Sequence, residues 1–158
     1  MNRAYIGYSN AMQLTLHADY AFRVLLYLGS QPTGRVVPTK EISRAYGIST
    51  HHLVRVVQTL NEQGYLRVTA GRTGGISLAR DPNDIQLGGV MRSAEANLQL
   101  VECFDPKTNT CPILPVCQLK PVLAEALNAF LSVLDSYTLA DLLHGRNRSR
   151  LSSVFASR

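Results

Sequence analysis

Apolar residues recur at helical spacing through the first part of the chain. Between Tyr20 and Leu28, the positions Ala21, Val24, Leu25 and Leu28 share one face, and Gly29 with the run Gln31-Pro32-Thr33-Gly34 closes the stretch. A second, short helix is predicted from Pro38-Thr39, with Thr39 capping the free amides and Ile42, Ala45 and Tyr46 facing inward until Gly47 ends it. Only Ile48 and Ser49 separate it from a third, in which Leu53, Val56, Val57 and Leu60 form the buried stripe, Ser49 is the N-cap and Gly64 the stop. Two helices joined by a tight glycine-containing turn match the helix-turn-helix pattern.

Beyond Gly64 the period changes from helical to alternating. Leu66 and Val68 point one way, Arg67 and Thr69 the other, and Ile76 and Leu78 repeat the pattern past the loop Ala70-Gly71-Arg72-Thr73-Gly74-Gly75. Three glycines in that loop can take the positive φ angles of a hairpin connection, so the segment reads as a two-stranded wing. Asp81-Pro82-Asn83 breaks it, a short helix is expected around Gly88 to Ala96, and Glu102 to Cys117 reads as a loop too long to be a mere connection. From Pro121, taken as a first helical residue, Leu123, Leu127, Phe130, Leu134 and Tyr137 recur at spacings of four and three, widened by Val122, Ala126 and Val133. Such a seam needs a partner helix, most simply the same helix of a second subunit in a two-fold homodimer.

The expected fold is therefore mainly α with a small β-hairpin wing, a winged helix-turn-helix followed by a long dimerisation helix. Its divisions are a disordered N-terminal extension over 1–11, the winged domain over 12–80, a connecting helix and cysteine loop over 81–120, the dimerisation helix over 121–143, and a disordered basic tail over 144–158.

Composition narrows the class without changing the picture. A hydrophobic share of 46% and a charged share of 17% belong to a globular protein. No window approaches the roughly 18 consecutive apolar residues of a membrane helix, and the first eleven residues lack the core of a secretory signal, so a cytoplasmic location with no membrane partner is expected. The net charge of +5 is unevenly spread. Met12 to Arg80 holds eight Lys or Arg against three acids, Asp81 to Leu143 three against eight, and the last fifteen residues four Arg and no acid. The first segment has the balance of a polyanion reader, and double-stranded DNA is the expected partner.

In a helix-turn-helix, the start of the second helix enters the major groove, which singles out Thr50, His51, His52 and Arg55 opposite the buried stripe. Arg55 is the leading candidate for a base edge, because its planar guanidinium can make two bonds to one guanine. On the wing, Arg67 and Arg72 sit where a hairpin meets phosphates or the minor groove.

Cys103, Cys111 and Cys117 lie within fifteen residues, spaced C-x7-C-x5-C among Pro106, Pro112 and Pro115. An odd number of thiols argues against a disulfide framework. The loop lacks the close cysteine pair of a structural zinc site, so the spacing favours an iron–sulfur cluster while leaving zinc open. A thiol oxidoreductase would usually present Cys-x-x-Cys, which is absent, and no enzymatic activity is expected.

Met12-Gln13-Leu14-Thr15, Asp19-Tyr20 with Arg23, the wing Gly71 to Ile76, the three cysteines and Tyr137-Thr138-Leu139-Ala140-Asp141-Leu142 together resemble the Rrf2 family of bacterial regulators, its nitric-oxide-sensing repressors in particular. The resemblance covers about Met12 to Leu143, and Met1 to Ala11 precede the family's usual start, which marks Met12 as a candidate initiator. It implies a homodimeric repressor whose iron–sulfur cluster, four-iron rather than two-iron, holds the DNA-binding form and is destroyed by nitric oxide as effector. It also places Asp19 where the family has a cluster-binding aspartate from the opposite subunit, with His17 as the nearest substitute. By itself Asp19 is an acid in a first helical turn, favoured there by the helix dipole. A sister branch of the family has a histidine ligand shortly after the third cysteine, where this chain has Lys120. The alternative is a cluster-free regulator of the same fold that acts through thiols or a protein partner.

Overall fold

A computed structural model describes residues 13–157 of the chain; the expected N-terminal extension and Met12 lie outside the described residues. Helix α1, Leu16–Ser30, begins earlier than the apolar stripe suggests because the Thr15 hydroxyl accepts the Ala18 N–H at 3.2 Å. Its buried face carries Ala18, Ala21, Val24, Leu25 and Leu28. Helix α2, Thr39–Tyr46, differs from expectation at its start: Pro38 occupies the N-cap and no side chain caps the amides, so Thr39 is simply the first helical residue. Gly47, at φ 66°, ends α2 in the left-handed region that a side chain would disfavour. Helix α3, Thr50–Glu62, is capped by Ser49 and buries Leu53, Val56, Val57 and Leu60, the stripe read from the sequence.

Strands β1, Leu66–Thr69, and β2, Gly75–Leu78, pair antiparallel with Leu66 opposite Leu78 and Val68 opposite Ile76. Val37 bonds to both backbone groups of Ile76 at 2.8 Å, so β2 is flanked on both edges. Ile76 is consequently buried, whereas Val68, on the edge strand β1, is 53% exposed although it lies on the apolar side of the alternation. The wing glycines also act differently from expectation. Only Gly71 has positive φ, at 103°, while Gly74 and Gly75 are small because a methyl would collide with the carbonyl oxygens of Thr69 and Val37.

Helix α4, Leu87–Ala94, packs Val90 and Met91 inward. Helix α5, Leu119–Asp135, starts two residues before Pro121, which the first turn tolerates because its N–H groups have no intrahelical acceptor. The predicted seam over 121–143 is not one helix. It breaks at Ser136, and Thr138 with Asp141 forms a capping box for a separate helix α6, Leu139–Leu142. Helix α6 turns back onto α1, where Gly29 leaves room for Leu143 and Leu139.

The expected disordered tail is helical from Arg146 to Ala156 and forms α7. Phe155 packs against Tyr27 and Tyr46, with ring centroids 4.6 and 5.2 Å away, and the Ser152 hydroxyl donates to the Ser30 carbonyl at 3.0 Å. The Arg148 guanidinium also donates to the Gln31 carbonyl. Few apolar residues suffice here because those contacts close over aromatic rings of α1 and α2. Among the described residues no helix is long and apolar enough to cross a membrane.

Candidate nucleic-acid interface and cysteine loop

The Ser49 cap fixes the direction in which α3 leaves the turn, and the buried Leu53, Val56 and Val57 turn Thr50, His51, His52 and Arg55 outward, all four exposed. Thr50 is steadied by a 3.3 Å hydroxyl contact with Ser43, and His52 lies beside Tyr20 of α1, ring centroids 6.3 Å apart. Arg55 projects next to a small recess of about 180 Å³ shared with His17, Tyr20 and His52. Val54, 55% exposed on the same helix, is an apolar group that the sequence reading passed over; its place outside the Leu53-Val56-Val57-Leu60 stripe was the available signal. Arg72 sits in the wing loop, and Arg67 lies further back on β1, opposite Ser77. Among the described residues, the ion pairs are Arg23–Asp19, Arg35–Glu41 and Arg92–Asp135, so no acid neutralises Arg55, Arg67 or Arg72. Uncompensated guanidinium groups on a recognition helix and wing form a surface suited to a polyanion.

The cysteine loop is folded by its own polar groups. Cys103 lies in a 3₁₀ turn, Glu102–Phe104, and Asp105 closes the next bend by accepting the Lys107 N–H at 2.8 Å. The Cys111 N–H donates to the Asn109 side chain at 3.1 Å, and a second 3₁₀ turn, Leu114–Val116, delivers Cys117 to the threshold of α5. All three thiols are free and half-buried. Three soft donors on a loop ordered up to each cysteine fit a thiolate-bound iron group in kind. Among the described residues, however, no three metal-ligating side chains converge, so Cys103, Cys111 and Cys117 share one loop without being drawn together into a ligand group.

Asp19 is held in the first turn of α1 by Arg23, with an ion-pair distance of 2.7 Å and a second bond from Nε at 3.1 Å. The same guanidinium lies 5.7 Å from the ring centres of both Tyr20 and Tyr46. His17 is engaged with the Thr59 hydroxyl at 3.1 Å. Among the described residues, neither Asp19 nor His17 joins the cysteines in a group of three ligating side chains. Lys120 is half-buried in the first turn of α5. That helix leaves an apolar face uncovered, with Leu119, Val122 and Val133 about 60% exposed and Phe130 41% exposed.

The sequence profile of the Rrf2 family, described as iron-dependent transcriptional regulators, matches residues 14–145. The chain belongs to the Rrf2 family. It is 49% identical over 132 residues to the HTH-type transcriptional regulator NsrR of Halalkalibacterium halodurans, covering 84% of this chain and 90% of that protein. To the HTH-type transcriptional regulator NsrR of Geobacillus kaustophilus it is 48% identical over 147 residues, covering 93% and 99%. Among solved structures, IscR of T. potens superposes with a TM-score of 0.61 at 26% identity, covering 84% of this chain and 87% of that one. These Rrf2 relatives are transcriptional regulators, not enzymes, and the mainly helical fold with a two-stranded wing is shared with them. The match ends where α7 begins, so the closing helix lies outside the Rrf2 profile.

Proposed function

We propose that the chain is a homodimeric, operator-binding repressor that responds to nitric oxide through an iron–sulfur cluster, four-iron rather than two-iron. The observation that carries this reading is the union of two incomplete features on neighbouring elements, a pre-folded loop with three free thiols and a following helix with an uncovered apolar face. Cys103, Cys111 and Cys117 would hold the cluster from one protomer, and Asp19 of the partner subunit would supply the fourth position. When bound, the group supplies a cross-link that nitric oxide can destroy. Arg23 holds the Asp19 carboxylate at the start of α1, and the uncovered face of α5 would supply the contact with the second subunit.

On DNA, Thr50, His51, His52 and Arg55 read base edges in the major groove, Val54 offers a methyl contact, and Arg67 and Arg72 meet phosphates. The dimer places two recognition helices on half-sites about 34 to 36 Å apart, or a multiple of that spacing. Loss of the cross-link between the subunits would change the separation of those helices and release the operator.

The test is anaerobic purification followed by a visible spectrum, iron and sulfide analysis, and nitric oxide titration with operator binding read in parallel. The expected result is a coloured protein that binds a symmetric operator and loses it as nitric oxide is added. A triple Cys→Ala variant that bound the operator at full affinity would replace this reading with the cluster-free one. Asp19→Ala is expected to retain the cysteine-held iron but to change its spectrum and the rate of the first nitric oxide step; an unchanged spectrum and rate would return Asp19 to its helix-start role.

A further inference from the structure

A second basic site adjoins the reading surface, sharing Arg67 with it. At the base of the wing, a cleft of about 670 Å³ opens between the end of α1, the turn after β2 and the start of α7, a volume in the range of small-molecule sites. Its lining includes Arg35, Arg67, Arg80, Arg148 and His144, against the single acid Asp81.

How each arginine is held decides what the cleft can do. Arg35 is neutralised by Glu41, at 2.8 Å. Arg80 donates to the carbonyls of Gly64 and Gln63, at 2.9 and 2.8 Å, and lies 4.8 Å from the centre of the Tyr65 ring. Arg148 donates to the Gln31 carbonyl. Carbonyl oxygens fix a guanidinium in place without cancelling its charge, so Arg80 and Arg148 are positioned cations with further N–H groups to offer. Arg67 adds a third uncompensated charge at the cleft, while the Asp81 carboxylate is already engaged with Asn83, at 2.9 Å to its N–H and 2.7 Å to its side-chain amide.

The strand register sets this cleft apart from the tip of the wing. Val37 pairs antiparallel with Ile76, which puts Arg35 alongside Leu78 at the base of the hairpin, whereas Ala70 to Gly74 form the tip at the opposite end. A DNA phosphate met by the wing tip would therefore not be the group that enters the cleft.

We infer that the cleft at the wing base is a binding site for a small, free, phosphate-bearing anion. Forked guanidinium groups match phosphate oxygens in pairs, and an anion held by Arg80 and Arg148 would tie the wing base to the closing helix α7. The site uses neither the cysteine loop nor α3 and shares only Arg67 with the residues proposed to meet DNA.

The test titrates the full chain with pyrophosphate and with inorganic phosphate, against sodium chloride at matched ionic strength, by calorimetry and by the NMR signals of the arginine Nε–H groups. Saturable binding is expected, with shifts at Arg80 and Arg148 and none at Arg55 or Arg72. Arg148→Gln and Arg80→Gln should each weaken pyrophosphate binding about 10-fold, the loss of one charge-assisted contact. Melting curves accompany both variants, and Arg148→Gln decides the matter if Arg80→Gln unfolds. Equal responses to chloride, unchanged affinity in Arg148→Gln, or shifts confined to α3 and the wing tip would overturn the assignment.

Discussion

From Leu16 to Leu78, each helix buries a continuous stripe and the wing adds Leu66 and Ile76 to the same core. From Glu102 to Asp135, neither the two 3₁₀ turns nor the 17-residue α5 contains a buried residue. The contrast is one of completeness. The first region builds a buried core within one chain, leaving only scattered apolar groups such as Val54 and Val68 exposed, while the second leaves a continuous apolar face uncovered and three thiols only half-buried. A fold divided in this way can keep its helix-turn-helix and wing rigid while the cysteine loop and the α5 face stay open to solvent.

The contrast can be broken most severely from the complete side. Leu25 is wholly buried in α1, and Leu25→Ala should cost about 2 to 5 kcal/mol, read by denaturant unfolding, because the surrounding core cannot collapse into the void. Gly29→Ala should destabilise the α1–α6 contact by about 1 to 3 kcal/mol, since the added methyl meets the Leu143 side chain. On the incomplete side, Phe130→Glu combined with Val133→Glu should leave the helical circular dichroism of the protomer intact while sedimentation shifts from dimer to monomer. Retention of the dimer would mean that the exposed face of α5 is not the contact.

Two gentler perturbations sharpen the same contrast through pH. Burial pushes the Tyr27 phenol up to about 12, helped by its hydrogen bond to Glu41, and burial pushes Tyr46 to about 12 as well. Their unfolded value is near 10, so the unfolded chain loses these protons first and stability should fall between about pH 10 and 12, followed by tyrosinate absorbance and circular dichroism together. The smallest effect concerns Arg92 and Asp135, which join α4 to α5 at 2.6 and 2.7 Å. The hydrogen bond from Arg92 lowers the Asp135 pKa, so its contribution is present above the ordinary carboxylate range and is lost as pH falls through the folded value. Asp135→Asn should lower the melting temperature slightly, and added salt should shrink the difference.

The legibility of the sequence follows the same division. The α3 stripe, the Ser49 cap and the order of helix, turn, helix and wing were readable because local periodicity there reports burial within the same chain. Val68 shows the limit, since alternation tells which side a residue faces but not whether anything covers an edge strand. The break at Ser136 was hidden because Tyr137 continues the spacing of α5 although its carbonyl accepts the Leu87 N–H at 3.0 Å. Helix α7 was missed because Leu151 and Phe155 are sparse anchors among arginines and serines, and their partners lie at the far end of the chain. That the loop carries three soft donors was legible from residue types. Which further residues would join them was not, because local spacing carries no information about groups distant in sequence.

The bond between Ser152 and Ser30 spans 122 residues. During synthesis, α1 and α2 therefore leave the ribosome long before the aromatic ring that closes over Tyr27 and Tyr46 exists. Chains ending before Phe155 would carry a full recognition helix and wing but lack this contact. Helix α7 thus closes over the first helices only after the recognition helix and wing between them have been made.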